Sequence, residues 1–155
     1  EGTPTGLAFN NDGTKMFVVG VIGDDVNEYT LSTAFDVSTA SFVDSFDISS
    51  QENSPTGLAF NNDGTKMFIT GGKVAQFTLS TGFDLSSTVS YVSGTSLGMT
   101  DPAAFDFSSD GTLMAVVDYG TDNLKGFTLS TGFDSSTISA TQALLPQDDI
   151  LGTSL

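Results

Sequence analysis

Pro4-Thr5-Gly6-Leu7-Ala8-Phe9-Asn10-Asn11-Asp12-Gly13-Thr14-Lys15-Met16-Phe17 returns letter for letter from Pro55 to Phe68. A looser third copy reads Pro102-Ala103-Ala104-Phe105-Asp106-Phe107-Ser108-Ser109-Asp110-Gly111-Thr112-Leu113-Met114-Ala115. Successive prolines are 51 and 47 residues apart. A second block follows each copy in the same order: Tyr29 to Asp36, Phe77 to Asp84 and Phe127 to Asp134. Two anchors repeated three times at a near-constant period mark a repeat architecture.

Each unit divides into four short strands. Thr5 to Phe9 ends at Asn11-Asp12-Gly13, where Asp can bond its own backbone and Gly can take a positive φ, the chemistry of a tight hairpin. Lys15 to Val19 is apolar after its lysine, as expected of a strand covered on both faces. Val26 to Leu31 places Asn27, Tyr29 and Leu31 on one face, matched by Ala75, Phe77 and Leu79 and by Lys125, Phe127 and Leu129. The fourth strand varies most, near Phe42 to Ile48, Val89 to Val92 and Ile138 to Leu144. Small Gly6 and Ala8 alternate with Leu7 and Phe9 on the first strand, which suits crowding near a central axis. The predicted fold is all-β: three four-stranded antiparallel β-propeller blades of about 50 residues. The blades span residues 1–54, 55–101 and 102–155. Closed propellers typically need roughly four to eight blades. Three are therefore expected to be part of a larger propeller, or to be completed by other copies of the chain.

The pattern Pro-x-Gly-Leu-Ala-Phe-x-x-Asp-Gly-Thr-Lys-Met-Phe-Val resembles the blade signature of YVTN-type and NHL-like propellers. The continuation from Glu28 to Ala40 looks like repeats of marine bacteriophage structural and tail-fibre-like proteins, and of some secreted proteins of marine bacteria. That resemblance implies an extracellular or virion-surface location and a structural or adhesive role. Blade 3 departs from the pattern at Ala103, Ala104 and Leu113.

Among 155 residues there are 19 acids against 4 lysines, a net charge of −15, and no arginine, histidine or cysteine. Such a field repels phosphate backbones and offers no bidentate phosphate fork, so nucleic acid and anionic membrane surfaces are not expected partners. Disulfides, thiolate catalysis and thiolate zinc sites are excluded for this chain. The usual general base and commonest transition-metal ligand are missing too. No apolar run approaches the ~20 residues of a spanning helix. The first residue is Glu1 and no leader is recognisable, which reads as a processed product or an excised piece.

Matching positions read as architecture. Asp12, Asp63 and Asp110 lack the ligand spacing and closing Glu of a Ca²⁺ loop and read as hairpin residues. Phe35-Asp36, Phe83-Asp84 and Phe133-Asp134 read as an apolar plug followed by a turn-capping Asp. Specificity is expected where the copies differ, in the connections between the second and third strands: Gly20 to Asp25, Gly71 to Lys73 and Asp118 to Asn123. These share one end with the linkers Ser50 to Ser54 and Ser96 to Asp101. There Asp24, Asp25, Asp118 and Asp122 are candidate Ca²⁺ ligands, since hard cations take oxygen donors, and Tyr119 is a candidate sugar-stacking residue. The alternative reading is a solvated acidic loop, expected by composition in a chain this acidic.

Lactonase-like propellers hold metal through residues including histidine, which this chain lacks. A carboxylate-pair hydrolase is the remaining catalytic route, and no pair stands out by motif. The sequence therefore leads to a non-enzymatic, extracellular or virion-associated binding or scaffolding module without a required cofactor. It would present its loops to a glycan or protein receptor, with a secreted adhesive or filament-forming protein as the alternative.

Overall fold

The computed structural model of the protein describes residues 2–144. Strands β1 (Pro4–Phe9), β2 (Lys15–Gly20), β3 (Asp25–Leu31) and β4 (Ala40–Asp47) form one antiparallel sheet in the order β1-β2-β3-β4. The second sheet holds β5 (Gly57–Phe60), β6 (Lys66–Thr70), β7 (Val74–Leu79) and β8 (Val89–Thr95), and the third holds β9 (Pro102–Phe107), β10 (Leu113–Asp118), β11 (Asn123–Leu129) and β12 (Ile138–Leu144). Each sheet is a propeller-type blade built in sequence order. The three stand in an arc that does not close. Residues 145–155, assigned above to blade 3, lie outside the described residues.

The repeated turns fold as their chemistry requires. Asp12 Oδ1 accepts from the Thr14 amide at 3.0 Å and hydroxyl at 2.6 Å, and Asp63 and Asp110 do the same for Thr65 and Thr112. Gly13, Gly64 and Gly111 take φ near 70°. The plug residues Phe35, Phe83 and Phe133 also adopt positive φ, of 60°, 55° and 54°. A left-handed backbone costs an L-residue about 1–2 kcal/mol. It is held because each Phe amide donates to the carbonyl of its hairpin glycine, at 2.9 to 3.1 Å, while its ring lies flush on that glycine. A Cβ on Gly13, Gly64 or Gly111 would fall inside the ring. Asp36, Asp84 and Asp134 then cap the turn by accepting from Ser38, Ser86 and Ser136. In blades 1 and 3 these turns are single 3-10 turns, Val37–Thr39 and Ser135–Thr137, which the strand periodicity did not foretell.

Two hydrophobic cores fill the two spaces between blades. Phe17, Val19, Val26 and Ile48 of blade 1 pack on Leu58, Met67, Ile69, Phe77, Leu79 and Leu85 of blade 2. Phe68, Val74 and Leu97 pack likewise on Met114, Val116, Phe127 and Leu129 of blade 3. Phe17 sits 4.7 Å from Phe60, and Phe68 4.7 Å from Phe107, in the same tilted geometry. The second strands of blades 1 and 2 are thus covered on both faces, whereas β10 alternates exposed and buried residues. The inner strands approach closely: a Cβ on Gly6 would lie 3.0 Å from the Gly57 Cα.

Polar groups cross each space at four matched positions. Thr5 donates to the Pro55 carbonyl at 2.6 Å, and Thr56 to that of Pro102. Asn11 donates to the Asn62 carbonyl and Asn62 to that of Ser109, both at 2.7 Å. Lys15 Nζ reaches the Phe83 carbonyl at 2.6 Å and Lys66 Nζ that of Phe133 at 2.8 Å. Glu28 Oε2 accepts from the Leu85 amide, and Gln76 Oε1 from the Ser135 amide, both at 2.7 Å. Glu28 is fully buried, and its other oxygen pairs with Lys15 Nζ at 2.7 Å. The lysines that recur at one site in two blades therefore tie each blade to the next.

Candidate functional site

The antiparallel order puts the β2–β3, β6–β7 and β10–β11 connections at the same end as the linkers between blades. Ile48 donates to the Asp24 carbonyl at 2.8 Å, and Tyr119 to the Asp101 carbonyl at 2.9 Å, which ties loops to linkers. Asp24 and Asp122 occupy equivalent places, with left-handed φ of 50° and 53°, at the starts of β3 and β11. Blade 2 stands between them. A buried oxygen of Asp24, Oδ1, makes no hydrogen bond. Asp25 accepts from the Asn27 side chain at 2.8 Å. Tyr119 is 74% exposed on the loop rim.

Asp118 is the last residue of β10 rather than a loop residue, and its side chain is fully buried. Its carboxylate accepts from the Asp101 amide at 2.9 Å, the Thr100 amide at 3.3 Å and the Thr121 hydroxyl at 2.8 Å. Burial opposes ionisation here, but those donors and Lys125, 4.0 Å away, outweigh it and hold the carboxyl below its ordinary range. Its oxygens are engaged in holding the blade 2 to blade 3 linker. Among the described residues, no three acids come together in a way that could hold a metal ion. The four Asp thus form no common cluster, and no calcium-dependent step is derived.

The sequence places the linker Ser50 to Ser54 and the loop Gly71 to Lys73 at this end without singling out Glu52. A hollow of about 350 Å³ opens at this end between the blade 1 to blade 2 linker and the β6–β7 loop, lined by Ser49, Ser50, Gln51, Glu52, Asn53, Gly72 and Lys73. Glu52 is only 7% exposed. Its carboxylate accepts from the Ser54 amide at 3.1 Å and packs so closely on Gly71 that a Cβ there would overlap it. The glycine pair Gly71-Gly72 was the available signal, since it shortens one loop and makes room for an acid from the linker. A second hollow of similar size follows the inner strands near the hairpins, lined by Phe9, Asn11, Ala59, Asn62, Phe83 and Asp106 among others. Its acid, Asp106, is exposed and accepts from the neighbouring Phe107 amide. The linker-end hollow alone of these two combines a buried acid with an amine.

No protein-family model matches the chain, and no curated protein matches it significantly. Solved structures share the fold. A periplasmic gluconolactonase of Pseudomonas aeruginosa superposes with a TM-score of 0.61 at 18% identity, over 92% of this chain and 39% of its own length. A Bacteroides fragilis protein assigned by name as a 6-phosphogluconolactonase gives 0.62 at 18% identity, over 89% and 37%. Kuenenia stuttgartiensis hydrazine synthase gives 0.62 at 14% identity, over 93% and 36%. At such identities the likeness shows the fold alone, and the chain spans about two fifths of the length of these structures.

These relatives in fold are named enzymes, among them lactonases, and this corrects the expectation of a non-enzymatic virion, tail-fibre, adhesive or filament module. The error has a physical source. A chain without histidine is no argument against catalysis when it spans less than half of the lactonase-named structures it resembles in fold. The bacteriophage resemblance rested on the Glu28 to Ala40 stretch, which forms β3, the plug and the cap, all of them architectural here.

Proposed function

We propose that the chain supplies three blades to an exported lactonase-type propeller that opens a neutral sugar lactone. The observation that carries the reading is a buried acid, Glu52, among the residues that line a polar hollow at the linker end, in a fold shared with a periplasmic gluconolactonase. Export is carried over from that protein's name as part of the proposal. Lactone opening needs a water activated for attack on the ring carbonyl and a positive group near the developing oxyanion. Glu52 would accept the proton from that water, a role worth roughly 10²–10⁴ in rate, and Lys73 would face the oxyanion. The ring C–O bond then breaks, the ring oxygen takes up a proton, and a free hydroxy acid leaves. Gln51, Asn53 and the two serines offer hydrogen bonds suited to sugar hydroxyls, and Tyr119 on the same end offers a stacking face. A net charge of −15 with no arginine favours an uncharged lactone over a phosphorylated one.

The test is a pH-stat assay of the full polypeptide with glucono-1,5-lactone and, separately, its 6-phosphate. Turnover of the neutral lactone above the spontaneous rate, lost at least a hundredfold in Glu52→Gln, is the expected result. No acceleration with either lactone refutes the reading.

A further inference from the structure

The four polar ties run in one direction, from a side chain of one blade to the backbone of the next. Blade 3 carries a different residue from blades 1 and 2 at every one of the four tie positions, three where the side chain donates and one where it accepts. Ala103 stands where Thr5 and Thr56 donate, Ser109 where Asn11 and Asn62 donate, Leu113 where the lysines reach across, and Gly126 where Glu28 and Gln76 accept. The aromatic that fills each internal space, Phe17 or Phe68, is replaced by Ala115, and Asp106 takes the place of Ala8 and Ala59. Ala104 adds a Cβ where Gly6 and Gly57 leave room for the neighbouring strand. Seven coordinated changes on one face, with the opposite face of blade 3 intact in its packing on Phe68, are not the drift of a whole blade.

The outer face of blade 1 shows the reverse. It keeps the complete receiving set: the backbone of Pro4, which matches Pro55 and Pro102, the hairpin backbone at Asn11, the plug Phe35 and the turn residue Val37, which matches Leu85 and Ser135. Leu85 is 4% exposed and Ser135 fully buried, because a blade covers them, whereas Val37 is 56% exposed. Leu7 is exposed where Leu58 is buried.

We infer that the outer face of blade 1 is a socket for one further blade of this same repeat, carrying Thr, Asn, Lys and Glu or Gln at the four tie positions. The outer face of blade 3 is not such a plug, so copies of this chain do not join head to tail. The occupant is argued by continuity: the two internal spaces use one set of ties, and blade 1 presents the receiving half of that set. The inference does not rest on lactone chemistry.

The experiment builds a donor from the 155-residue chain by restoring the plug on blade 3 (A103T, A104G, D106A, S109N, L113K, A115F, G126Q). Val37→Asp is added so that the donor cannot receive a copy of itself. A second donor replaces residues 102–129 by residues 55–79, a blade surface the chain already folds. Each is mixed with the wild-type chain and weighed by native mass spectrometry. The expected result is a one-to-one complex of twice 16.1 kDa with at least one donor, weakened at least tenfold when the receiving chain carries Val37→Asp, and a wild-type chain that stays single. Failure of both donors to bind overturns the inference. So does a wild-type chain that self-associates and is dispersed by Leu113→Asp.

Discussion

Replacing Phe68 with alanine empties the centre of the space between blades 2 and 3. The ring is fully buried and lies 4.7 Å from Phe107 and 6.4 Å from Phe133. Truncation of a buried Phe costs about 3–5 kcal/mol, of which tilted aromatic contacts supply part. For a domain of this size 1 kcal/mol moves Tm by about 2–4 °C, so the variant should melt about 10 °C lower. Whole-domain stabilities of roughly 5–15 kcal/mol make this a large fraction of the total. Blade 3 supplies an internal control, because Ala115 occupies the same repeat position on an exposed face. Ala115→Phe on its own should change stability by less than about 0.5 kcal/mol, as surface substitutions do. Urea melts followed by circular dichroism measure both. A loss under 1 kcal/mol in Phe68→Ala, or an equal response to Ala115→Phe, would refute the assignment of these faces as covered and uncovered.

Gly64→Ala should destabilise by more than the roughly 1–2 kcal/mol of a left-handed alanine, because its Cβ also meets the Phe83 ring; the additional Phe83→Ala substitution should remove the steric part, read by thermal melting. Asp118→Ala leaves the Thr100 and Asp101 amides without their buried acceptor and should cost about 2–3 kcal/mol, with faster amide exchange across residues 98–101 measured by NMR. Asp110 is held at about 2 by the Ser108 hydroxyl and by the Thr112 amide and hydroxyl, and Asp12, Asp36 and Asp63 are lowered in the same way by their turn partners. A carboxyl depressed on folding stabilises the native state above its unfolded pKa near 4, and this is lost as pH falls toward its folded value. Tm should therefore drop between pH 4 and pH 2, less steeply in Asp110→Asn.

The blade pattern was legible because its determinants are local: a hairpin Asp-Gly, an apolar second strand and a Phe-Asp plug recur within each unit, and repetition confirmed each reading. Glu28 was not legible. A charged residue in a strand reads as surface until the Leu85 amide, 57 residues on, is known to meet it. The same distance effect misplaced Asp118, whose partners lie 17 and 18 residues back in a linker. Asp24, Asp25, Asp118 and Asp122 share an end of the fold, as their positions in the repeat imply. Whether they converge depends on how far the arc curves, which no local pattern carries. Glu52 was missed because nothing in blade 1 predicts that a shortened loop in blade 2 would admit it.

Native-state hydrogen exchange on the 155-residue chain tests the central claim, that three blades are tied one to the next through repeated contacts whose receiving half blade 1 still presents. Leu85 and Ser135 amides, buried and bonded to Glu28 and Gln76 of the preceding blade, should exchange slowly, while the equivalent Val37 amide exchanges fast. Glu28→Ala should release Leu85 alone. Equal protection at all three positions, or fast exchange at Leu85 and Ser135, would contradict the account.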